Sequence, residues 1–278
     1  MVASVPPYSG IFAGNRAVGR IALTIKADGD GSHRHKVHEH GALRVRFPNG
    51  ASRATLDAVM VNTAGGMTGG DSFDIDIAVG DGAGLSVTTA AAEKIYRSLG
   101  PDTAINVKLA VGDGGVLAWL PQETILFDRV RLTRHINAEL APTARLLLAE
   151  AIVFGRSAMG ELLTRGHFFD HWRVRVGGKL AFAESLRLDG AIADKLAQRA
   201  VGHAGVAAAS VLKIPGDDSD VAAVRAMDHD FAGEVGVSDW NGIMLARLVA
   251  PDGAALRRDL IGIMTALGDA PLPRLWLN

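Results

Sequence analysis

Apolar and polar residues alternate along most of the chain over residues 20–188, in segments set off by Gly, Asp, Pro or Asn. A period of two puts successive side chains on opposite faces of an extended backbone, so the pattern predicts short β-strands. The clearest lie at residues 42–47, 73–79, 105–111 and 130–140. In the last, Val130, Leu132, Ile136, Ala138 and Leu140 share one face with Arg134 as its only polar member. Arg131, Thr133, His135, Asn137 and Glu139 take the other face. A strand with one dry and one wet face fits antiparallel or solenoid-like sheets, not a parallel sheet covered by helices on both sides.

Further strands are expected at 21–25, 56–61, 85–89, 116–120, 144–153, 172–176, 179–183 and 243–248. Turn signals recur, as in GDGAG (80–84) and GDGG (112–115), but no repeat of fixed length aligns, which argues against a regular solenoid or propeller. Helices are expected late in the chain. Leu256, Leu260, Met264 and Leu267 form one apolar stripe on a helix over 254–267, closed by Gly268. A second helix is predicted over 192–201 and a third over 219–227 with Ser219 at its amino end, and residues 202–220 read as a surface loop.

Composition narrows the classes. The chain has 278 residues, 48% hydrophobic and 21% charged, with a net charge of -1, which disfavours both disorder and strong nucleic-acid binding. The 33 glycines are spread throughout and aromatics make up 5%, so many tight turns surround a core of Val, Leu, Ile and Ala. No composition break divides the chain, and a single domain is expected. With no cysteine, a metal could be held only by His, Asp, Glu or backbone oxygen. The first residues lack the pattern of a signal peptide, and no apolar run reaches about 18 residues, so a soluble cytoplasmic chain is expected.

The segment NTAGGMTGGD (62–71) carries paired glycines after an apolar strand. It lacks the Lys and Ser/Thr of a Walker A loop and does not fit GxGxxG; from its residues alone it is a tight turn needing positive φ. A small-anion-binding module built on the turn at 65–70 is the alternative reading. A hydrolase using Ser157 with His167 or His171 and Asp170 has the residue types for nucleophilic catalysis, but GRSAM is not a GxSxG elbow.

NTAGGMTGGD is similar to the GG-x-x-GGD segment of the urease accessory proteins called UreD or UreH. In the same order, SVTTAAAEKIYRS (86–98) resembles the family's TTQAATKVYRS segment, and WLPQETILFD (119–128) its WLPQ-x-x-I-x-F motif. EAIVFGRSAMGE (150–161) resembles E-x-x-x-x-GR-x-x-x-GE, and PLPRLW (271–276) resembles the PR-x-W tail. The chain departs from the family where Glu93 stands in place of a common Thr or Ser. The first 40 residues match only loosely.

The resemblance implies an elongated, mainly β fold of β-helical character, with two or three helices in the carboxy-terminal third and residues 1–19 as a loosely ordered arm. It also implies a maturation scaffold, not an enzyme, that binds apo-urease subunits and recruits UreF and, through it, UreG. Such a scaffold holds no tight cofactor, with nickel at most in transit. Within the matching motifs, Asp71, Glu93, Asp128, Glu150 and Glu161 are candidates for a nickel route, and Tyr96, Arg97, Trp119 and Arg156 for partner contacts, since Arg, Tyr and Trp are enriched at interface anchors. Outside the resemblance, His33, His35, His38 and His40 form a dense cluster whose imidazoles could hold nickel; in a mobile arm they read rather as solvated and incidental.

Overall fold

The computed structural model describes residues 15–29, 31–48, 52–156 and 159–277. Two hairpins open it: β1 (Val18–Asp28) with β2 (Gly31–Gly41), and β3 (Leu43–Arg46) with β4 (Thr55–Asn62). The chain then coils, each turn leaving one strand on each of two facing walls and a short one between them. The first turn gives β5 (Ser72–Val79), β6 (Gly84–Thr89) and β7 (Glu93–Ile95); the second gives β8 (Thr103–Val111), β9 (Val116–Trp119) and β10 (Thr124–Leu126). The third gives β11 (Val130–Leu140) and β12 (Arg145–Arg156), followed by β13 (Glu161–Leu162), β14 (Arg165–Val176) and β15 (Lys179–Ala191). The rest is α1 (Ile192–Leu196), β16 (Ala207–Ile214), α2 (Asp218–Arg225), β17 (Glu234–Trp240), β18 (Ile243–Ala250) and α3 (Gly253–Leu267).

One wall is a 7-stranded sheet in the order β15-β14-β11-β8-β5-β1-β2. Its five inner strands are parallel, as stacked coils require, and its two edges are antiparallel. The other wall runs β17-β18-β16-β12-β9-β6-β4-β3, parallel from β4 to β12 and antiparallel beyond. The expected β-helical character is therefore present. Partners along the first wall are 54, 32, 29 and 36 residues apart from β1 to β14, so the coils stack although no fixed sequence period exists. Their turns stack as well: Gly82 N donates to Asp113 O at 2.8 Å, and Asp113 N to Asp81 Oδ1 at 2.9 Å.

Two cores result. The first fills the space between the walls with the inward residues of each strand, such as Ile21, Ile75, Val107, Leu132, Leu85, Leu117 and Leu148. The second lies outside β12, β16 and β18, where Ala149, Val211 and Ala246 meet Leu256, Leu260, Ile263 and Met264 of α3. Each fully buried Leu, Ile or Met there contributes about 1.5–3 kcal/mol relative to exposure. Being covered on both faces, β12 reads in sequence as an apolar run, interrupted by Glu150, without alternation.

Several expectations need correction. His33, His35, His38 and His40 belong to no mobile arm: they lie on β2, an exposed edge strand paired with β1. The strand escapes the period-two reading because Val37 is its one apolar side chain, which suits an edge that charge must protect from mispairing. β1 begins at Val18, inside the segment expected as an arm; the remainder of that expectation, residues 1–14, lies outside the described residues. The expected loop at 202–220 contains β16, whose alanines pack on both faces and so show no alternation. α1 ends at Leu196, and α2 is capped by Asp217, not Ser219: its carboxylate accepts from Ser219 N at 2.9 Å and Asp220 N at 3.2 Å. α3 matches its predicted span and starts on Asp252, which accepts from Ala255 N at 2.7 Å. Among the described residues no helix is long and apolar enough to cross a membrane.

Candidate functional site

Between the walls sits a charged cluster. Arg134, the lone polar residue on the inward face of β11, lies in register with Asp170 on β14 and opposite Glu150 on β12. Its guanidinium donates to Asp170 through Nε at 2.9 Å and Nη2 at 2.6 Å, and through Nη1 to Glu150 Oε2. The indole Nε1 of Trp119 donates to the other Glu150 oxygen at 2.8 Å. Arg134 is 3% exposed, Glu150 5% and Asp170 4%, so bulk water covers little of any of them. One cation and two carboxylates leave an excess negative charge in a buried site, where an uncompensated ion costs several kcal/mol. Burial, reinforced by Asp170 and only partly offset by Arg134, raises the Glu150 carboxyl above its ordinary range.

A cavity of about 230 Å³ opens on one side of this cluster, walled by apolar side chains such as Phe73, Ile105 and Val107. Its polar lining includes Glu93, Asn62, Thr124, Arg134 and Glu150. Glu93 takes the Asn62 amide on both carboxylate oxygens, at 2.9 and 3.1 Å, and burial raises its pKa. On the other side a cavity of about 240 Å³ is lined by Glu150, Asp170, Glu184 and Arg247 among others. Glu150 borders both spaces, so the cluster stands as a partition between them. Arg134 and Asp170 were not among the expected route residues; the signal was the single arginine on an otherwise apolar strand face.

The other expected acids do not line the first cavity. Asp71 is 5% exposed and accepts from Ala17 N and Thr68 N, both at 2.8 Å, pinning the glycine-rich turn to the start of β1. The glycines of that turn serve close packing: a Cβ on Gly66 would come 2.5 Å from the Tyr96 ring, and one on Gly69 1.8 Å from Ser98 Oγ. Asp128 accepts from Thr164 N and Oγ1 at 2.8 and 2.7 Å and from Arg165 N. Burial opposes its charge, but these bonds prevail and hold its carboxyl below the usual range. Glu161 pairs with Arg156.

Of the expected partner-contact residues, Tyr96 and Arg156 meet on the surface across Phe127. The Tyr96 and Phe127 rings are 4.8 Å apart edge to face, and the Arg156 guanidinium lies 4.4 Å over Phe127. Arg97 is exposed beside them, and Leu162 nearby is 59% exposed. Trp119 is not a surface anchor: inward alternation along β9 leaves it 2% exposed, holding Glu150. The tail motif is structural too, since Trp276 Nε1 donates to Leu120 O at 2.9 Å and Arg257 stacks on the Trp276 ring at 4.7 Å.

Ser157 lies outside the described residues. The remaining residues of that catalytic set are kept apart by strand alternation: His167 and His171 project from the outer face of β14 and Asp170 from its inner face. His167 is the third and His171 the seventh of the 12 residues of β14. Among the described residues no group of three or more His, Asp or Glu is arranged to hold a metal ion.

A family model described as UreD urease accessory protein matches residues 17–277. The urease accessory protein UreD of Rhodopseudomonas palustris (strain BisB5) is 52% identical over 268 residues, covering 96% of this chain and 94% of that protein. The urease accessory protein UreD of Bradyrhizobium diazoefficiens is 49% identical over 270 residues, covering 97% of each.

Proposed function

The chain belongs to the UreD family of urease accessory proteins, and from that premise we propose that it is a non-enzymatic scaffold of urease maturation in the cytoplasm. It binds apo-urease subunits, recruits UreF and through it UreG, and assists GTP-dependent insertion of nickel, which it handles as cargo and not as a resident cofactor. The observation that carries this reading is the family match over residues 17–277. The Tyr96, Phe127 and Arg156 cluster, flanked by Arg97, supports a partner contact, because desolvated aromatic and Arg side chains supply most interface energy.

For the cargo route, Glu93 and Glu150 are the expected acids that share a cavity. Asp71, Asp128 and Glu161 already serve backbone groups or Arg156, so the proposal narrows to the first two. The anion-binding alternative loses support from the turn itself. Met67 N, Thr68 N, Gly70 N and Asp71 N all donate within the protein, and Asp71 places a carboxylate where an anion would sit.

Co-purification tests the scaffold. The chain, produced with urease subunits and a UreF-like protein, should co-elute with them in size-exclusion chromatography; elution of each alone contradicts the reading. Glu93→Gln and Glu150→Gln should each lower the nickel content of matured urease several-fold while co-elution persists. Unchanged nickel in both removes the route and leaves the scaffold standing.

A further inference from the structure

Three arginines line one corner of the stacked coils. Arg129 precedes β11, Arg165 begins β14, and Arg97 bridges to Val130 at the start of β11. Stacked turns hold their backbones together: Ser98 N donates to Arg129 O at 3.0 Å and Arg129 N to Arg165 O at 2.8 Å. Neighbouring strands lie about 4.8 Å apart, so the row spans roughly 10 Å at its Cα atoms. All three side chains are exposed. Arg16 continues the row, its side chain lying against Gly70.

The net charge of the whole chain is -1, so this row is a local excess of cations. Among the described residues neither Arg97 nor Arg165 has a carboxylate within ion-pair distance, and Arg129 Nε reaches Asp128 only at 3.8 Å. The acids nearby are engaged elsewhere. Asp128 accepts from Thr164 and Arg165 N, Asp102 pairs with Arg131 at 2.7 Å, and Glu161 pairs with Arg156. Arg129 is also left-handed, with a φ of 59°. An arginine is costlier there than Gly or Asn, and such backbone outliers gather where a side chain binds something.

Apolar side chains stand beside the row. Leu99 is 86% exposed, and Leu162 is exposed as well. These leucines match apolar side chains of a protein and offer nothing to a phosphate backbone. A stacking platform for bases is lacking too: Arg156 covers a face of Phe127, and the Tyr96 ring is packed on Gly66.

We infer that Arg97, Arg129 and Arg165 form a docking row for an acidic segment of a partner protein. Its carboxylates pair with the guanidiniums, and an apolar side chain seats against the neighbouring leucines. Arginine takes a carboxylate through two parallel hydrogen bonds, which lysine cannot do. This rests on the partner contact proposed above and deepens it, adding Arg129 and Arg165 to the surface and assigning the partner's charge.

Two measurements on the full chain test the row. In fluorescence anisotropy, a labelled Glu-rich peptide carrying one leucine should bind more tightly than a labelled oligouridylate of equal charge. Arg97→Glu, Arg129→Glu and Arg165→Glu together should weaken the peptide at least tenfold, and lysine at the same positions should weaken it less. Arg225→Glu with Arg258→Glu, on α2 and α3, should leave it unchanged. Undiminished peptide binding by the triple variant, or tighter binding of the oligouridylate, overturns the assignment. In co-elution with urease subunits and a UreF-like protein, the triple variant should lose a partner that the unaltered chain retains. Retention of every partner by both sinks the row and leaves the scaffold standing. An unaltered chain that elutes alone removes the scaffold, and the peptide measurement then decides the row. Circular dichroism checks that the variants fold.

Discussion

At the scale of single residues, the least ordinary feature is the excess negative charge of Arg134, Glu150 and Asp170. Removing the cation should be severe: Arg134→Met leaves two buried carboxylates facing each other and should cost about 3–5 kcal/mol in urea unfolding. A loss below about 1 kcal/mol would mean that water reaches the cluster. Glu150 adds a pH dependence of its own. Its carboxyl is raised in the folded state, so the stability it contributes is present below the unfolded value and is lost as pH rises through the folded one. Glu150→Gln removes that dependence, so the melting temperature of the variant relative to the parent should rise between pH 5 and pH 8. A difference that stays flat or falls across that range contradicts the raised carboxyl. The sequence showed Arg134 as an odd residue on a dry face, but its partners lie 16 and 36 residues away, on the facing wall of its own coil and on the next strand of its own wall, and their pairing follows only from the folded walls.

Elements were legible in proportion to how unequal their two faces are. β11 was predicted with its observed bounds, and β5 and β8 to within two residues, because one face of each is dry and the other wet. β16 carries alanine on both faces, β2 has a single apolar side chain, and the short alternation of β17 through Val235 and Val237 stops at Asp239, so none of the three was foreseen. β14 was foreseen only from Trp172 onward, since Asp170 on its inner face and Phe169 on its outer face invert the expected pattern. β2 also yields a prediction. Its Arg34, Lys36 and histidines guard an otherwise open sheet edge. Replacing Arg34 and Lys36 with Val should raise the fraction of higher oligomers in sedimentation velocity at neutral pH. A distribution identical to the parent's would show that charge on this edge is not what prevents pairing.

At the scale of the molecule, the motifs that carry the family resemblance fall on different coils and come together for different reasons. The glycine-rich turn packs on Tyr96 and Ser98, the WLPQ segment seats the tail tryptophan, and Glu150 meets Arg134 inside. Many of these contacts are structural, and a carboxylate that pins a turn looks the same in sequence as one lining a cavity. Uneven coil lengths hid the solenoid from a search for repeats, while the strand pattern within each coil exposed its β character. This β-helical body serves urease maturation. The nickel content of urease purified from cells carrying the urease subunits and the remaining accessory proteins, with and without this chain, tests it most directly. Near-stoichiometric nickel is expected with the chain and a large deficit without it, restored by supplying the chain; equal nickel in both would rule out a role in maturation.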